Sequence, residues 1–320
     1  MQRTAKIGLG LAALGRPGYI NLGHAIDLAG RHEPVALEKH THRLLDAAFE
    51  GGVRYFDAAR SYGRAEEFLG SWLGSRKPKD VRVASKWGYV YTADWNAQAE
   101  KHEIKDHSLP NLKRQWAETE NFLGDWLNLY QIHSAVPETG VLSDARVLGE
   151  LARLKSKGVD IGLSVSGPNQ SETIKQAIDT VVDGGRLFDA VQATFNLLEQ
   201  SAGPALEDAH RSGLQVIIKE GLANGRLTDR NSLAEDHDRL QRLRQHCAKR
   251  AVALDSFSLA YPLTRPWVDI VLSGAAALSH LKSNLLASEY CFEAEDENLA
   301  VGLGHSPEQY WRLRSRLPWQ

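Results

Sequence analysis

Four polar side chains, Asp57, Tyr62, Lys86 and His133, fall at or just past the C-terminal ends of short apolar runs, residues 53–56, 81–84 and 127–132. A carboxylate, a phenol, an ammonium and an imidazole together make up the set needed to pass a proton to a carbonyl oxygen. Carbonyl reduction requires a hydride donor and an acid that protonates the developing alkoxide. A phenol with a pKa of about 10 is a weak acid at neutral pH; a nearby ammonium lowers that value, each unit being worth ~1.4 kcal/mol. Lys86 would supply the ammonium. Burying it requires a paired carboxylate, and Asp57 is the expected partner. His133 would donate a hydrogen bond to the substrate oxygen and fix which face meets the hydride.

Residues of this kind at the ends of successive strands are how a parallel barrel assembles a site at one face. Strand-like and helix-like segments alternate along the chain. Strands are expected at 7–11, 53–56, 81–84, 127–132, 160–165, 190–194, 214–219 and 268–272, with helices between them such as 37–50, 65–73, 109–124 and 143–157. Eight βα units, with no linker-like change of composition, favour a closed (β/α)8 TIM barrel, read as a single domain over 1–320, rather than an open sheet. Runs such as Val216-Ile217-Ile218 fit parallel strands buried on both faces. Residues 87–110 form an excursion after strand 3, longer than an ordinary βα loop and expected to lie over the site mouth. Residues 307–320 read as an extra C-terminal helix. The segment from Gly8 to Ala13 matches GxGxxA, but Gly15, Pro17 and Gly18 break the helix a dinucleotide turn would need.

The bulk properties narrow the class. A net charge of −2 and a pI near 6.6 give no basic face for nucleic acid or anionic membranes. Cys247 and Cys291 flank no CxxC and form no disulfide framework. No apolar stretch approaches the ~20 residues of a membrane span. Residues 1–6 carry no apolar signal core. A cytoplasmic location is therefore expected, without nucleic-acid or membrane partners. No metal site is expected: His102 and His107 lack a third ligand at sensible spacing, and His40 and His42 face different ways on a helix.

The motifs together resemble the aldo-keto reductase family. Phe56-Asp57-Ala58-Ala59-Arg60-Ser61-Tyr62-Gly63, Ser85-Lys86-Trp87-Gly88 and Tyr130-Gln131-Ile132-His133 match the segments that carry its tyrosine, lysine and histidine. The likeness continues through residues 161–166, 191–198 and 273–285, nearly the whole chain. It implies Tyr62 as acid/base, tuned by Lys86 and Asp57, with His133 orienting the carbonyl. It also implies NADP or NAD bound extended at the C-terminal barrel face, without a Rossmann unit. Ser164 and Gln192 match residues that hold the nicotinamide carboxamide, and Gly10 lies where the first strand approaches the nicotinamide ribose. Lys219, Glu220, Gly221 and Leu222 run along the pyrophosphate; Gly274, Ala275, Ala276, His280 and Asn284 align with the adenosine end. Trp87, Tyr89 and Trp95 of the excursion are the expected substrate contacts.

Departures from the family pattern also carry meaning. Val165 stands where Asn often follows the serine, and Lys219 where an aromatic usually stacks on the nicotinamide. Gly274 and His280 replace the cations that clamp a 2′-phosphate in many NADP-dependent members, and a phosphate dianion normally calls for Arg or Lys. The expected function is reduction of an aldehyde or ketone, or the reverse. An NAD-dependent aldose dehydrogenase is the alternative, and a cofactor-binding regulatory subunit without turnover is the reading from another class. The substrate and the oligomeric state are not legible.

Overall fold

Eight parallel strands close into a barrel in chain order, β1 (Lys6–Gly10), β2 (Tyr55–Asp57), β3 (Arg82–Trp87), β4 (Leu127–Ala135), β5 (Asp160–Val165), β6 (Ala190–Thr194), β7 (Gln215–Lys219) and β8 (Ile270–Ser273). β8 returns to pair with β1 through Lys6↔Ile270 to Leu9↔Ser273. This computed structural model describes residues 6–320, so the expectation about the first residues lies outside it. The (β/α)8 architecture read from the sequence is the one observed.

Strand periodicity explains how the barrel makes a site. Successive side chains alternate between the barrel interior and the surrounding helices. Tyr55, Ala84, Leu129, Ala190, Ile217, Ile270 and Leu272 form a separate apolar cluster that plugs the interior. Phe56, Val83, Tyr130, Val191, Ile218 and Val271 belong instead to the large outer core shared with the helices. Gly8 points into the plug: an added Cβ would lie 3.0–3.1 Å from side-chain atoms of Leu272, Ile270 and Tyr55. Stepping two residues along each strand from the plug reaches Asp57, Lys86, Gln131, Gln192 and Lys219. The interior therefore changes from apolar to polar within one layer, at the C-terminal end of the strands.

The helices bury apolar stripes on the outside. Helix Pro34–Glu50 buries Leu37, Leu44, Leu45 and Ala48, with Pro34 in the first turn, where its missing N–H loses nothing. That helix stops before Gly52, which takes φ +90°. Helix Pro307–Ser315 follows the barrel as expected, preceded by a helix at Ala294–Val301 that the sequence reading did not separate.

Several expectations are corrected. β3 runs on to Trp87 and β4 to Ala135, so Lys86 and His133 lie inside their strands and not beyond them. An apolar run ends at the first polar side chain, whereas the backbone ladder continues, as in Lys86↔Gln131 and Trp87↔Ile132. The excursion after β3 contains a hairpin, Tyr89–Tyr91 paired antiparallel with Glu103–Lys105. Gly8 and Gly10 are part of β1, and the next helix, His24–Leu28, is only five residues long.

Candidate active site

A cleft of about 520 Å³ opens at the C-terminal face of the barrel, within the usual range for cofactor and ligand sites. At one end lie Asp57, Tyr62 and His133, with Lys86 directly beneath them. At the other lie Gly274, Ala275, His280 and Asn284, and between them run Gly10, Gln192 and residues 219–222. Most of the residues picked out by sequence thus border one continuous groove.

The catalytic end is built on the buried polar layer. Lys86 Nζ donates to Asp57 Oδ2, and to the carbonyl of Ala58 at 2.9 Å. The other Asp57 oxygen accepts from Gln192 Nε2 at 2.9 Å and Gln131 Nε2 at 3.3 Å. Lys86 is fully buried and Asp57 nearly so. A buried ion pair supported by further donors is the arrangement in which such charges persist. Tyr62 reaches this layer from the turn after β2, where Ala58 N and Arg60 N donate to the carbonyls of Ala84 and Lys86 at 2.8 and 3.0 Å. Its ring centroid is 4.8 Å from Lys86 Nζ.

Burial pushes the Tyr62 phenol well above its ordinary value, with the Asp57 charge adding to the rise. Burial and Asp57 outweigh the lowering effect of the Arg16 guanidinium, and Tyr62 carries its proton at neutral pH. His133 moves the opposite way. Burial, with Lys86 and Lys219 nearby, holds it well below the ordinary histidine range, so its imidazole is neutral. Its Nδ1 lies 3.4 Å from Ser61 Oγ, and its ring meets Tyr62 and Tyr89 edge-on, at centroid separations of 5.4 and 4.9 Å.

Lys219 Nζ donates to Thr194 Oγ1 at 2.9 Å and Ser166 Oγ at 3.2 Å, and burial brings its pKa down to about 8. Glu220 is held at about 2; burial alone would raise it, but Arg314 at 2.6 Å and Lys219 prevail.

Besides Lys86, four sequence-selected residues do not border the cleft. Trp87 is fully buried, its ring edge-on to His107, and Trp95 packs against Phe68 and donates to the His32 carbonyl. Neither borders the groove; of the three expected contacts only Tyr89 lines it. Ser164 is buried behind it, accepting from Ser134 N at 2.8 Å, and Ser166 takes the lining position. Ala276 also lies back, its carbonyl bonded to His40 Nε2.

Other lining groups escaped the sequence reading. Arg16 is almost fully buried beside Tyr62, bonded to the Ser61 carbonyl at 2.9 Å and Glu103 at 3.0 Å. At the far end Asp27 takes a two-pronged bond from Arg230, at 2.5 and 2.8 Å, and lies 3.7 Å from His280. These pairs span from 87 to 203 positions, and no local pattern announces them. Gln131 had a signal, since it stands two residues before His133 on the inward face.

The groove suits a dinucleotide. Asn224 Oδ1, buried on its wall, has no partner among the described residues, which leaves an acceptor for a bound hydroxyl or amide. Gly274 leaves open space where a side chain would intrude, with its nearest neighbour 3.9 Å from an added Cβ.

The pattern of the Aldo/keto reductase family matches residues 6–300. A D-threo-aldose 1-dehydrogenase of Pseudomonas sp. is 26% identical over 306 residues, covering 88% of this chain and 90% of that protein. A pyridoxal 4-dehydrogenase of Microbacterium luteolum is 26% identical over 318 residues, covering 86% and 91%. Among solved structures, the holo form of an aldo-keto reductase from Bacillus halodurans superposes with a TM-score of 0.70 at 22% identity, over 96% of this chain and 95% of that one. The chain belongs to the aldo-keto reductase family and is an NAD(P)-dependent oxidoreductase. No helix among the described residues is long and apolar enough to cross a membrane.

Proposed function

We propose that the enzyme interconverts a small aldehyde, ketone or sugar hemiacetal with its reduced or oxidised partner, with Tyr62 as the proton donor and acceptor. The observation that carries this reading is the convergence of Tyr62, His133 and the Asp57–Lys86 pair at one end of a groove suited to a dinucleotide. The nicotinamide cofactor, when bound, supplies or takes up the hydride. In reduction, Tyr62 donates its hydroxyl proton to the carbonyl oxygen. His133, neutral and with Nδ1 beside Ser61 Oγ, is assigned the Nε2–H tautomer and presents that N–H to the same oxygen. Lys86 stabilises the phenolate that remains, and Asp57 keeps that ammonium tolerable in the core. Gly10, Gln192 and residues 219–222 are assigned to the cofactor, as are Gly274, Ala275, His280 and Asn284 at its adenosine end. Tyr62→Phe tests the assignment. Removing the hydroxyl should lower kcat by about 10²–10⁴-fold, with unchanged affinity for reduced cofactor by titration. A variant that turns over normally would end it.

One observation favours the second reading, an NAD-linked aldose dehydrogenase. Arg230 lies near the adenosine end, but its charge is spent on Asp27 and on the carbonyls of Leu22 and Gly23. A 2′-phosphate there would meet the Asp27 carboxylate. The two relatives, both named as dehydrogenases, lend support. Initial rates with oxidised NAD plus sugars, against reduced cofactor plus aldehydes, separate the readings; a strong preference for NADP would sink the second.

A further inference from the structure

β4 does not end as an ordinary strand. Its register with β5 is irregular between Ile132 and Ala135, and Ser134 takes φ +53°, a left-handed conformation that non-glycine residues enter at a cost. The break falls directly after His133, so it sets the direction of that imidazole. Four hydrogen bonds hold it. His107 Nε2 donates to the His133 carbonyl at 2.9 Å, and Lys105 Nζ to the Ser134 carbonyl at 2.9 Å. Ser134 N donates to Ser164 Oγ at 2.8 Å, and Ser134 Oγ pairs with Ser166 Oγ at 3.0 Å.

Two of the four come from the excursion after β3, and the His107 bond is the one made to His133 itself. A carbonyl only accepts, so this contact fixes the His107 tautomer with its proton on Nε2. Nδ1 is buried with no partner among the described residues, and burial keeps the ring neutral, at about 4. The ring sits edge-on to Trp87 and fills the space over Gly88, whose φ of +112° and missing side chain admit it; a Cβ there would collide with the imidazole. A ring oriented this specifically, with one nitrogen left without a partner, fits a device for holding a backbone carbonyl.

We infer that His107 is a positioning residue: its hydrogen bond to the His133 carbonyl sets the break in β4 that aims the His133 imidazole at the reacting oxygen. The excursion thus acts as a clamp on the catalytic face. This inference rests on the role given to His133 above. His107→Phe should lower kcat about ten- to a hundredfold, the scale of a small misplacement of a catalytic group, with cofactor affinity unchanged. His107→Gln, which keeps a donor, should recover part of the loss. In a His133→Ala background His107→Phe should cost less than twofold, because the group it positions is gone. Gly88→Ala displaces the ring without removing a hydrogen-bonding group and should reproduce the His107→Phe phenotype. Wild-type kcat in His107→Phe, or an equal loss with and without His133, overturns the inference. If His133→Ala alone keeps full activity, the role of His133 falls first, and the two failures are told apart.

Discussion

The two ends of the groove are made differently. At the catalytic end Asp57, Lys86, Gln131 and Gln192 project from four strands of a closed ladder and bond to one another. At the other end, assigned above to the adenosine, Asp27, Arg230 and His280 come from loops and short helices, and His280 is half-buried. A side chain on a closed ladder moves only if the barrel moves. A side chain on a loop can be exchanged while the fold stands. On the proposed reading the reaction type is bound to the architecture, and cofactor choice to its periphery.

Asp57→Ala should break the first half of this contrast hardest. It strands Lys86 as a buried uncompensated charge, and the expected loss of stability is about 3–5 kcal/mol, accompanied by loss of turnover. Denaturant unfolding measures it, and a change under about 1 kcal/mol would mean the pair is not buried as described. At the opposite end, Asp27→Ser should leave stability nearly unchanged while freeing Arg230. The ratio of NADP to NAD use should then rise about tenfold, the effect of one charge-assisted contact; an unchanged ratio would remove Asp27 from cofactor choice.

A smaller effect lies midway along the groove. Lys219 is charged below about pH 8 and neutral above it. Affinity for reduced cofactor should therefore weaken severalfold between pH 7 and 9, and Lys219→Met should flatten the profile. A wild-type affinity constant across that range would detach Lys219 from the phosphates. The smallest effect concerns acid stability. His107 and His24 titrate at about 4 in the fold against 6.5 ordinarily. The unfolded chain takes up their protons first, so their contribution is complete above about pH 6.5 and is lost as pH falls towards 4. Tm should decline across that window, and less steeply in His107→Phe.

The same division governs what the sequence discloses. Asp57, Lys86 and His133 were legible because a strand has period two and each stands two or four residues beyond an interior apolar residue, Tyr55, Ala84 and Leu129. Strand ends were misplaced at Trp87 and Ala135 because ladder pairing ignores side-chain polarity. Arg16 with Glu103, and Asp27 with Arg230, were invisible, since contact across the mouth of a barrel follows no local period. The burial that raises the Tyr62 pKa was likewise not legible: order along the chain shows proximity to a charge but not depth of burial.

Trp319 lies face to face with His102, with centroids 4.0 Å apart and planes 5° from parallel, and the Arg16 guanidinium is 4.8 Å from the indole centre. Of the eight tryptophans in the chain, it alone among the described residues borders the cleft. The molecule therefore carries its own optical gauge. Emission from Trp319 follows what enters the groove, while that of core indoles such as Trp72 and Trp87 follows the integrity of the barrel. Replacing Trp319 alone would separate occupancy from unfolding in a single fluorescence trace.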